Sequence, residues 1–359
     1  MLYKFFLTLT DDFSAFNVFR YITFRIILAA LTSMLIWFFL GPKFINFIKA
    51  YHIRQHIRLE GPQSHQKKAG TPTMGGLMVL LSALVSCLLW ADISSELTLI
   101  MWVVILFYAY IGYRDDYLKV SKRQNEGLKS REKFALQCII GLLAGFILYN
   151  SEGFRPTLTV PLFKNLIFDL GYIYILFSSL VLVGTSNSVN LTDGLDGLAI
   201  GPIIMASATY MVFAYCAGNS VIANHLQITR VPGAAEVAVV LAALIGSGLG
   251  FLWFNTYPAE IFLGDVGSLS LGAALGLAAL IVKQEILLIL VGGIFVMEAM
   301  SVILQVAFFK CTHGRRLLKM SPIHHHFELK GWPEPKVIVR FWIIAIILGL
   351  AGLSTLKLR

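Results

Sequence analysis

Long apolar runs separated by short polar segments make up most of this sequence. A membrane-spanning helix needs about 20 mainly apolar residues, and ten runs approach that length. They centre on residues 22–40, 74–91, 97–113, 134–149, 172–186, 198–217, 236–254, 261–282, 286–309 and 337–356. Because lipid admits only structures that satisfy their own backbone hydrogen bonds, the pattern predicts an all-α, polytopic membrane helical bundle. We expect about ten transmembrane helices in a single domain over residues 1–359.

The composition excludes an ordinary soluble protein. Hydrophobic residues make up 57% of the chain, charged residues only 14%, and the mean hydropathy is +0.76. The first apolar run, Tyr21 to Leu40, is too long for the apolar part of a cleavable signal peptide, so we expect it to be a span. Cys87, Cys138, Cys216 and Cys311 are scattered, which predicts neither a disulfide framework nor a metal site.

The basic residues predict how the bundle is oriented. The net charge is +9, and most lysines and arginines fall in the loops after the first, third and ninth spans. On the opposite side, residues 92–96 contain no base and residues 218–235 contain only Arg230. The positive-inside rule therefore places the basic loops in the cytoplasm and both termini in the periplasm. The same charge suits two partners, anionic lipid headgroups and an anionic substrate.

The polar motifs all fall on the predicted cytoplasmic face. They occupy residues 61–76, 115–133, 187–197, 255–265 and 310–336. A secondary transporter would instead carry polar residues near mid-span, often within inverted repeats. The sequence therefore predicts an active site on the cytoplasmic side of the membrane.

Five aspartates stand at cytoplasmic ends of spans: Asp115, Asp116, Asp193, Asp196 and Asp265. Carboxylates are costly near a bilayer core and persist there mostly for function. Mg²⁺ typically uses one or two carboxylates together with substrate phosphates, so a divalent cation held against a phosphorylated substrate is the leading hypothesis. Neighbouring helical residues point about 100° apart, so one member of the pair can face the bundle and the other a loop. The alternatives are a solvated acid pair and, for Asp265, a helix N-cap.

Acids and amides recur every three residues in the segment 187–197. That spacing stacks them along one helical face, whereas Gly194 and Gly197 indicate a loop or the start of a helix. Such side chains suit sugar hydroxyls, uracil edges and the water shell of a metal. A polar turn would explain the asparagines and glycines but not the two aspartates. The four side chains are Asn187, Asn190, Asp193 and Asp196.

Two further segments gain meaning beside these acids. Gly70–Gly76 opens the second span directly after Lys67 and Lys68, and free N–H groups at a helix start attract phosphate. By itself, a Thr-Pro pair is also an ordinary helix start. The histidine run 324–326 suggests zinc, but it lacks a well-spaced cysteine or acid, and adjacent residues do not easily share one metal. Neutral hydrogen bonding or a proton relay fits these histidines better.

Together these motifs resemble the phospho-N-acetylmuramoyl-pentapeptide-transferase family. This family is a branch of the polyprenyl-phosphate N-acetylhexosamine-1-phosphate transferase superfamily. The resemblance runs through almost the whole chain, from residues 16–19 to residues 356–357. The acidic motifs are superfamily-wide, whereas Gly70–Gly76 and the histidine loop Pro322–Pro335 are more specific. Arg114 departs from the family, which usually has an apolar residue before the aspartate pair.

The resemblance implies a multi-pass enzyme of the bacterial cytoplasmic (inner) membrane. In the first membrane step of peptidoglycan synthesis, UDP-N-acetylmuramoyl-pentapeptide reacts with undecaprenyl phosphate. The products are undecaprenyl-diphospho-N-acetylmuramoyl-pentapeptide (lipid I) and UMP. The implied cofactor is Mg²⁺ and the implied assembly is a homodimer in membrane lipid, with no nucleic-acid partner.

The resemblance also implies residue roles. Asp265 would be the leading Mg²⁺ ligand, Asp115 would deprotonate or orient the lipid phosphate, and Asp116 would be a metal or structural partner. A covalent attack by an aspartate is the rival scheme. Lys133 would contact the lipid phosphate, and His324 counts among the catalytic candidates. The uridine would be held by Asn190, Asp193, Gly194, Leu195, Asp196 and, through stacking, Phe262. The nucleotide-sugar site would be lined by Lys68, Thr73, Lys119, Asn187, Asn255, Gln305, His324 and His325.

Two alternatives belong to other classes. A sister enzyme that moves N-acetylglucosamine-1-phosphate onto a polyprenyl phosphate would share the acids but would not be expected to keep the histidine loop. A nucleotide-sugar transporter would be expected to carry its polar residues in broken helices near mid-span.

Overall fold

Helices are the dominant secondary structure of the computed structural model, which describes residues 2–51, 70–122, 127–161, 163 and 166–357. The α-helices are α1 (Leu2–Thr8), α2 (Ile22–Ala50), α3 (Gly75–Trp90), α4 (Glu96–Ser121), α5 (Ser130–Asn150), α6 (Ile173–Thr192), α7 (Ile200–Gly218), α8 (Ser220–Leu226), α9 (Ala234–Asn255), α10 (Gly264–Ile281), α11 (Leu287–Val291), α12 (Gly293–Cys311), α13 (Ile323–Glu328) and α14 (Glu334–Ser354). Short 3₁₀ helices cover Ser14–Arg20 and Thr355–Lys357. One small antiparallel hairpin pairs β1 (Thr157–Thr159) with β2 (Ile167–Asp169), with Leu158 opposite Phe168.

The predicted polytopic helical bundle is confirmed. Among the described helices, nine have at least 18 residues and are apolar enough to cross a membrane. The predicted span at 74–91 is the shorter helix α3, which has 16 residues. It begins one residue after the predicted start, because Met74 adopts a left-handed conformation with φ 70°. The first two N–H groups of the helix then bond to loop carbonyls, Gly75 to Phe262 at 2.8 Å and Gly76 to Leu263 at 2.9 Å.

The run predicted as one span at 286–309 is two helices. The short α11 ends at Val291, and α12 begins at Gly293. Two adjacent glycines, Gly292 and Gly293, mark the break, since glycine is the weakest helix former apart from proline. The continuous apolar pattern hides this interruption.

Helix α10 lies at the centre of the bundle. Its apolar window is 89% buried, against 22% for α2 at the edge. The helix is rich in glycine, alanine and serine, which allow close backbone approach between membrane helices. A Cβ at Gly76 would collide with the backbone of Gly267, so the close approach of α3 and α10 depends on glycine at this crossing. The central position brings the first turn of α10 against several neighbouring helix ends.

The four cysteines are free, as the absence of a disulfide pattern predicted. Cys87 and Cys216 are buried, while Cys311 is exposed. The side of the membrane on which each terminus lies stays a prediction.

Candidate active site

Three aspartates meet where the end of α4 crosses the start of α10. Carboxylate oxygens of Asp115, Asp116 and Asp265 lie within 4.8 Å of one another. The crossing is close because Gly112 has no side chain: a Cβ there would collide with the backbone of Asp265 and Val266. Residues three and four positions after Gly112 share its helical face. The two acids of the pair therefore both turn inward, each only 4% exposed. As expected, they face different partners: Asp116 faces the start of α10, and Asp115 faces the loop before α5.

Two lysines balance the three carboxylates. Lys119, one turn after the pair, places its Nζ 2.6 Å from Asp115 Oδ2 and 3.3 Å from Asp265 Oδ2. Lys133, in the first turn of α5, places its Nζ 2.6 Å from Asp265 Oδ2 and 3.9 Å from Asp115 Oδ1. Two ammonium groups against three carboxylates leave one formal negative charge in a partly buried cluster. This arrangement suits both a cation and the phosphates of a substrate.

Backbone groups fix the two acids of the pair. Asp116 Oδ2 accepts a hydrogen bond from the Val266 N–H at 3.1 Å, in the first turn of α10. The Asp116 carboxylate therefore accepts from a free N–H at the start of α10. The N-cap alternative gave this role to Asp265. Asp115 Oδ1 accepts from the Leu128 N–H at 3.0 Å. These bonds orient the carboxylates before any ligand arrives.

The two asparagines of α6 differ in their surroundings. Asn190 Nδ2 donates to Asp265 Oδ1 at 3.1 Å and to Ser268 Oγ at 2.8 Å, so Asn190 belongs to the acid cluster. Asn187 Nδ2 instead donates to Gln137 Oε1 at 2.7 Å. Gln137 is completely buried, and the sequence analysis did not identify it. Asn187 is therefore anchored to α5 one turn away from the carboxylates.

Asp193 lies just after α6, half-buried and close to the cluster. Burial raises the pKa of Asp193 to about 8, and the negative charges of Asp265, Asp116 and Asp196 add to the effect. A proton on this carboxyl would relieve the crowding of negative charge. A bound cation would relieve it in the same way.

The neighbouring Asp196 is held by backbone bonds. Its Oδ2 accepts from the Ala259 N–H at 3.0 Å, and its own N–H donates to Glu334 Oε1 at 3.1 Å. Leu195 is 4% exposed and packs in an apolar cluster with residues of α12 and α14. These contacts fix the position of residues 193–196 beside the acids, and the side chain of Leu195 faces inward. We call these four residues the ledge.

Two predicted substrate contacts have their amide groups bonded to backbone. Asn255 Oδ1 accepts from the Gly197 N–H at 3.0 Å, and its Nδ2 donates to the Ile261 carbonyl at 2.7 Å. Gln305 Oε1 accepts from the Leu318 N–H at 2.8 Å, and its Nε2 donates to the carbonyl of the same residue at 3.3 Å. In this geometry both side chains brace loops around the site.

The segment before α3 docks onto the loop before α10. The Phe262 N–H donates to the Pro72 carbonyl at 2.9 Å, and Thr73 is 5% exposed between the two loops. The side chain of Phe262 stays partly exposed, as a stacking surface for a base requires. Lys68 lies outside the described residues.

Two of the three histidines have separate hydrogen-bond partners. His325 Nδ1 lies 2.8 Å from Glu328 Oε2, and His326 Nδ1 accepts from the Lys319 N–H at 3.0 Å. Within the described ranges, the three aspartates form the only group of three or more His, Cys, Asp or Glu side chains close enough to share a metal ion. The histidines thus form no zinc site in the described part of the chain.

The remaining histidine is completely buried. His324 Nδ1 lies 3.1 Å from Oε1 of Glu298, a carboxyl inside α12 that is also fully buried. Its Nε2 packs against Gly194, where an added Cβ would collide with it. Sequence analysis missed Glu298, although a lone acid within an apolar span was an available signal. Arg114, the departure before the aspartate pair, is exposed.

Comparison with known proteins places these features in one family. The profile described as Glycosyl transferase family 4 matches residues 98–283, and phospho-N-acetylmuramoyl-pentapeptide-transferase signature 1 matches residues 68–80. Phospho-N-acetylmuramoyl-pentapeptide-transferases of Desulfosudis oleivorans and Syntrophus aciditrophicus are 55% and 52% identical over 359 residues, covering 100% of each chain. The enzyme of that name from Desulfatibacillum aliphaticivorans is 55% identical over 360 residues, again with full coverage.

Proposed function

Because this chain belongs to the phospho-N-acetylmuramoyl-pentapeptide-transferase family, within glycosyl transferase family 4, we propose that it makes lipid I. The donor is UDP-N-acetylmuramoyl-pentapeptide and the acceptor is undecaprenyl phosphate. A phosphate oxygen of the lipid attacks the phosphorus next to the sugar, the bond to the UMP oxygen breaks, and UMP leaves. The relatives carry the name of this transferase, and the geometry of the site supports the chemistry.

The observation that carries the proposal is the meeting of Asp115, Asp116 and Asp265 beside Lys119 and Lys133. Carboxylate oxygens are the ligands that Mg²⁺ prefers, and it takes its remaining ligands from phosphates and water. The donor set therefore fits Mg²⁺, with Asp265 and one or both members of the pair as ligands. When bound, the ion would neutralise the diphosphate and stabilise departing UMP.

The residues of the chain supply positioning and proton handling. Asp115, fixed by the Leu128 N–H, orients the lipid phosphate and accepts its proton. Lys133 contacts the same phosphate, and Lys119 contacts the diphosphate of the donor. Asp116 holds the start of α10 through Val266, which keeps Asp265 in place. Phosphoryl transfer depends mainly on such positioning and charge stabilisation.

The nucleotide sugar lies along the ledge formed by residues 193–196. Phe262 stacks on the uracil, while Asn190 and Asp193 approach from the cluster side. Thr73 and His325 border the sugar, and the buried His324 supports the loop at Gly194 from beneath. We assign supporting roles to Asn187, Asn255 and Gln305, because their amide groups are already hydrogen-bonded to other groups of the protein.

The proposal includes a location. The site faces the cytoplasm, where the nucleotide sugar is dissolved, and both termini face the periplasm. The basic loops support this orientation through the positive-inside rule. The whole chain acts as a single membrane domain, and two copies form a homodimer.

The test is UMP release by purified, detergent-solubilised protein. The donor is supplied with undecaprenyl phosphate in Mg²⁺ or in EDTA, and UDP-N-acetylglucosamine serves as the parallel donor. We expect release that needs the lipid, stops in EDTA and is specific for the muramoyl-pentapeptide donor. Release from UDP-N-acetylglucosamine alone would assign the sister reaction. Folded protein that releases UMP from neither donor would contradict the proposal.

A further inference from the structure

The pair formed by Glu298 and His324 lies outside the acid cluster and needs its own explanation. Glu298 belongs to α12, and both side chains are 0% exposed. A carboxyl group removed from water inside a membrane helix is costly unless a partner compensates it. Its only hydrogen-bond partner in the described part of the chain is the imidazole, through Oε1. A residue kept at such cost is expected to act through that imidazole.

The chemistry of the pair fixes where the proton of the ring lies. A carboxylate only accepts hydrogen bonds, so the ring nitrogen facing it must carry a hydrogen. Glu298 faces Nδ1. In the neutral imidazole, Nε2 is then left with its lone pair as an acceptor. Carboxylates use this device to set the tautomer and orientation of catalytic and metal-binding histidines.

The Nε2 side of the His324 ring faces the ledge of residues 193–196. His324 Nε2 is buried, packs against Gly194, and has no hydrogen-bond partner among the described residues. Gly194 stands between Asp193 and Leu195, in the loop that the proposed function assigns to the donor. Because the ring packs against Gly194, its orientation determines the position of the loop 193–196. Its Nε2 lies beneath this loop as a hydrogen-bond acceptor without a partner among the described residues.

We propose that Glu298 is a positioning residue that holds His324 in the Nδ1–H tautomer and thereby fixes the loop that receives the nucleotide sugar. This inference rests on the proposed function for the identity of the substrate. Glu298 touches neither substrate nor the acid cluster. Its effect should fall on the nucleotide sugar and leave the lipid phosphate unaffected, because the proposed function assigns the lipid phosphate to Asp115 and Lys133.

The first test observes the tautomer directly. Full-length protein labelled with ¹⁵N-histidine gives separate ¹⁵N signals for protonated and unprotonated ring nitrogens, and a His324→Asn variant identifies the signals of His324. We expect hydrogen on Nδ1 and none on Nε2 in the unsubstituted protein. In Glu298→Gln, whose amide both donates and accepts, the preference should be lost. A proton on Nε2 in the unsubstituted protein, or an unchanged spectrum in Glu298→Gln, would overturn the inference.

The second test separates positioning from general damage. In Glu298→Gln we expect the KM for UDP-N-acetylmuramoyl-pentapeptide to rise about 10-fold or more, with the KM for undecaprenyl phosphate within about twofold of normal. Ser301→Ala is the matched control on α12, since among the described residues Ser301 Oγ bonds only to the Glu298 carbonyl, at 2.7 Å. An equal rise in both KM values, or none, would contradict the proposal.

The two measurements also show whether a negative result concerns the proposed function or only the inference about Glu298. If the unsubstituted protein releases no UMP, the proposed function fails, whereas the tautomer spectrum is read without turnover. If UMP is released but Glu298→Gln behaves normally, only the inference about Glu298 fails. Should Glu298→Gln not fold, the spectrum of the unsubstituted protein decides alone.

Discussion

The two lysines of the site have two functions in the proposed mechanism: they neutralise the acids and they contact phosphate. Lys119 and Lys133 each approach a carboxylate to 2.6 Å, and these contacts stabilise the clustered acids. A phosphate that enters the site competes for the same ammonium groups. We assign the lipid substrate to Lys133 because it lies in the first turn of α5, a helix with many exposed apolar side chains.

Replacing Lys133 with methionine tests its role as a phosphate contact. A hydrogen bond from a charged donor contributes about 1.5–3 kcal/mol, so the KM for undecaprenyl phosphate should rise at least about 10-fold. The KM for the nucleotide sugar should change much less. Steady-state UMP release with each substrate varied gives both values. Lys129→Met, an exposed residue just before the same helix, should behave normally, and a matching defect there would contradict the assignment.

Single residues also show where sequence reasoning stops. The chemistry of the aspartates predicted a shared cluster, and the structure brings Asp115, Asp116 and Asp265 together. The spacing of Asn255 and Gln305 could not reveal that backbone groups from distant loops would occupy their amides. Hydrogen-bond partners far along the chain depend on how helices pack, which a local pattern does not encode.

Among the elements, the crossing of α4 and α10 decides whether the site exists. The two helices approach closely at Gly112, opposite the backbone of Asp265 and Val266. Any side chain at this position would push the helices apart and separate the aspartate pair from the third acid. The glycine thus connects helix packing directly to the geometry of the cluster.

Gly112→Ala should therefore damage both stability and catalysis. The added Cβ would meet backbone on the opposing helix, which cannot rotate away, and overpacking of this kind costs about 1–3 kcal/mol. We expect a lower melting temperature in detergent together with a large loss of UMP release.

Gly184→Ala in α6 is the control, because no atom of the described residues lies within 4 Å of its added Cβ. Alanine favours helix over glycine, so this variant should be as stable as the original protein or slightly more so. If both variants behaved alike, the close crossing would not be the cause.

The sequence predicted helix boundaries well where one uninterrupted apolar run forms one helix. Residues 236–254 correspond closely to α9 (Ala234–Asn255). The run at 286–309 contains a break, because hydropathy does not register the weak helix propensity of Gly292 and Gly293. The first N–H groups of α3 bond to the distant loop 262–263, which no local pattern reports.

At the scale of the whole molecule, the predicted polar motifs converge on one end of an apolar bundle. Described parts of the predicted polar segments, from Thr73 to the histidine loop, lie around the ends of the central helices. The basic loops and the apolar spans were readable from the sequence, and they led to this expectation. The close helix crossings that bring the acids to within 4.8 Å of one another required the three-dimensional packing.

The central claim is that the cluster of Asp115, Asp116 and Asp265 performs Mg²⁺-dependent transfer. The most direct measurement is the Mg²⁺ dependence of UMP release in Asp265→Asn, compared with Asp11→Asn at an exposed position. We expect Asp265→Asn to lower kcat by about 100-fold or more, as expected for loss of electrostatic stabilisation at the reacting groups, and to need more Mg²⁺. The Asp11 variant should match the original protein. Folded Asp265→Asn protein with a normal rate and a normal Mg²⁺ requirement would contradict Mg²⁺-dependent transfer at this cluster.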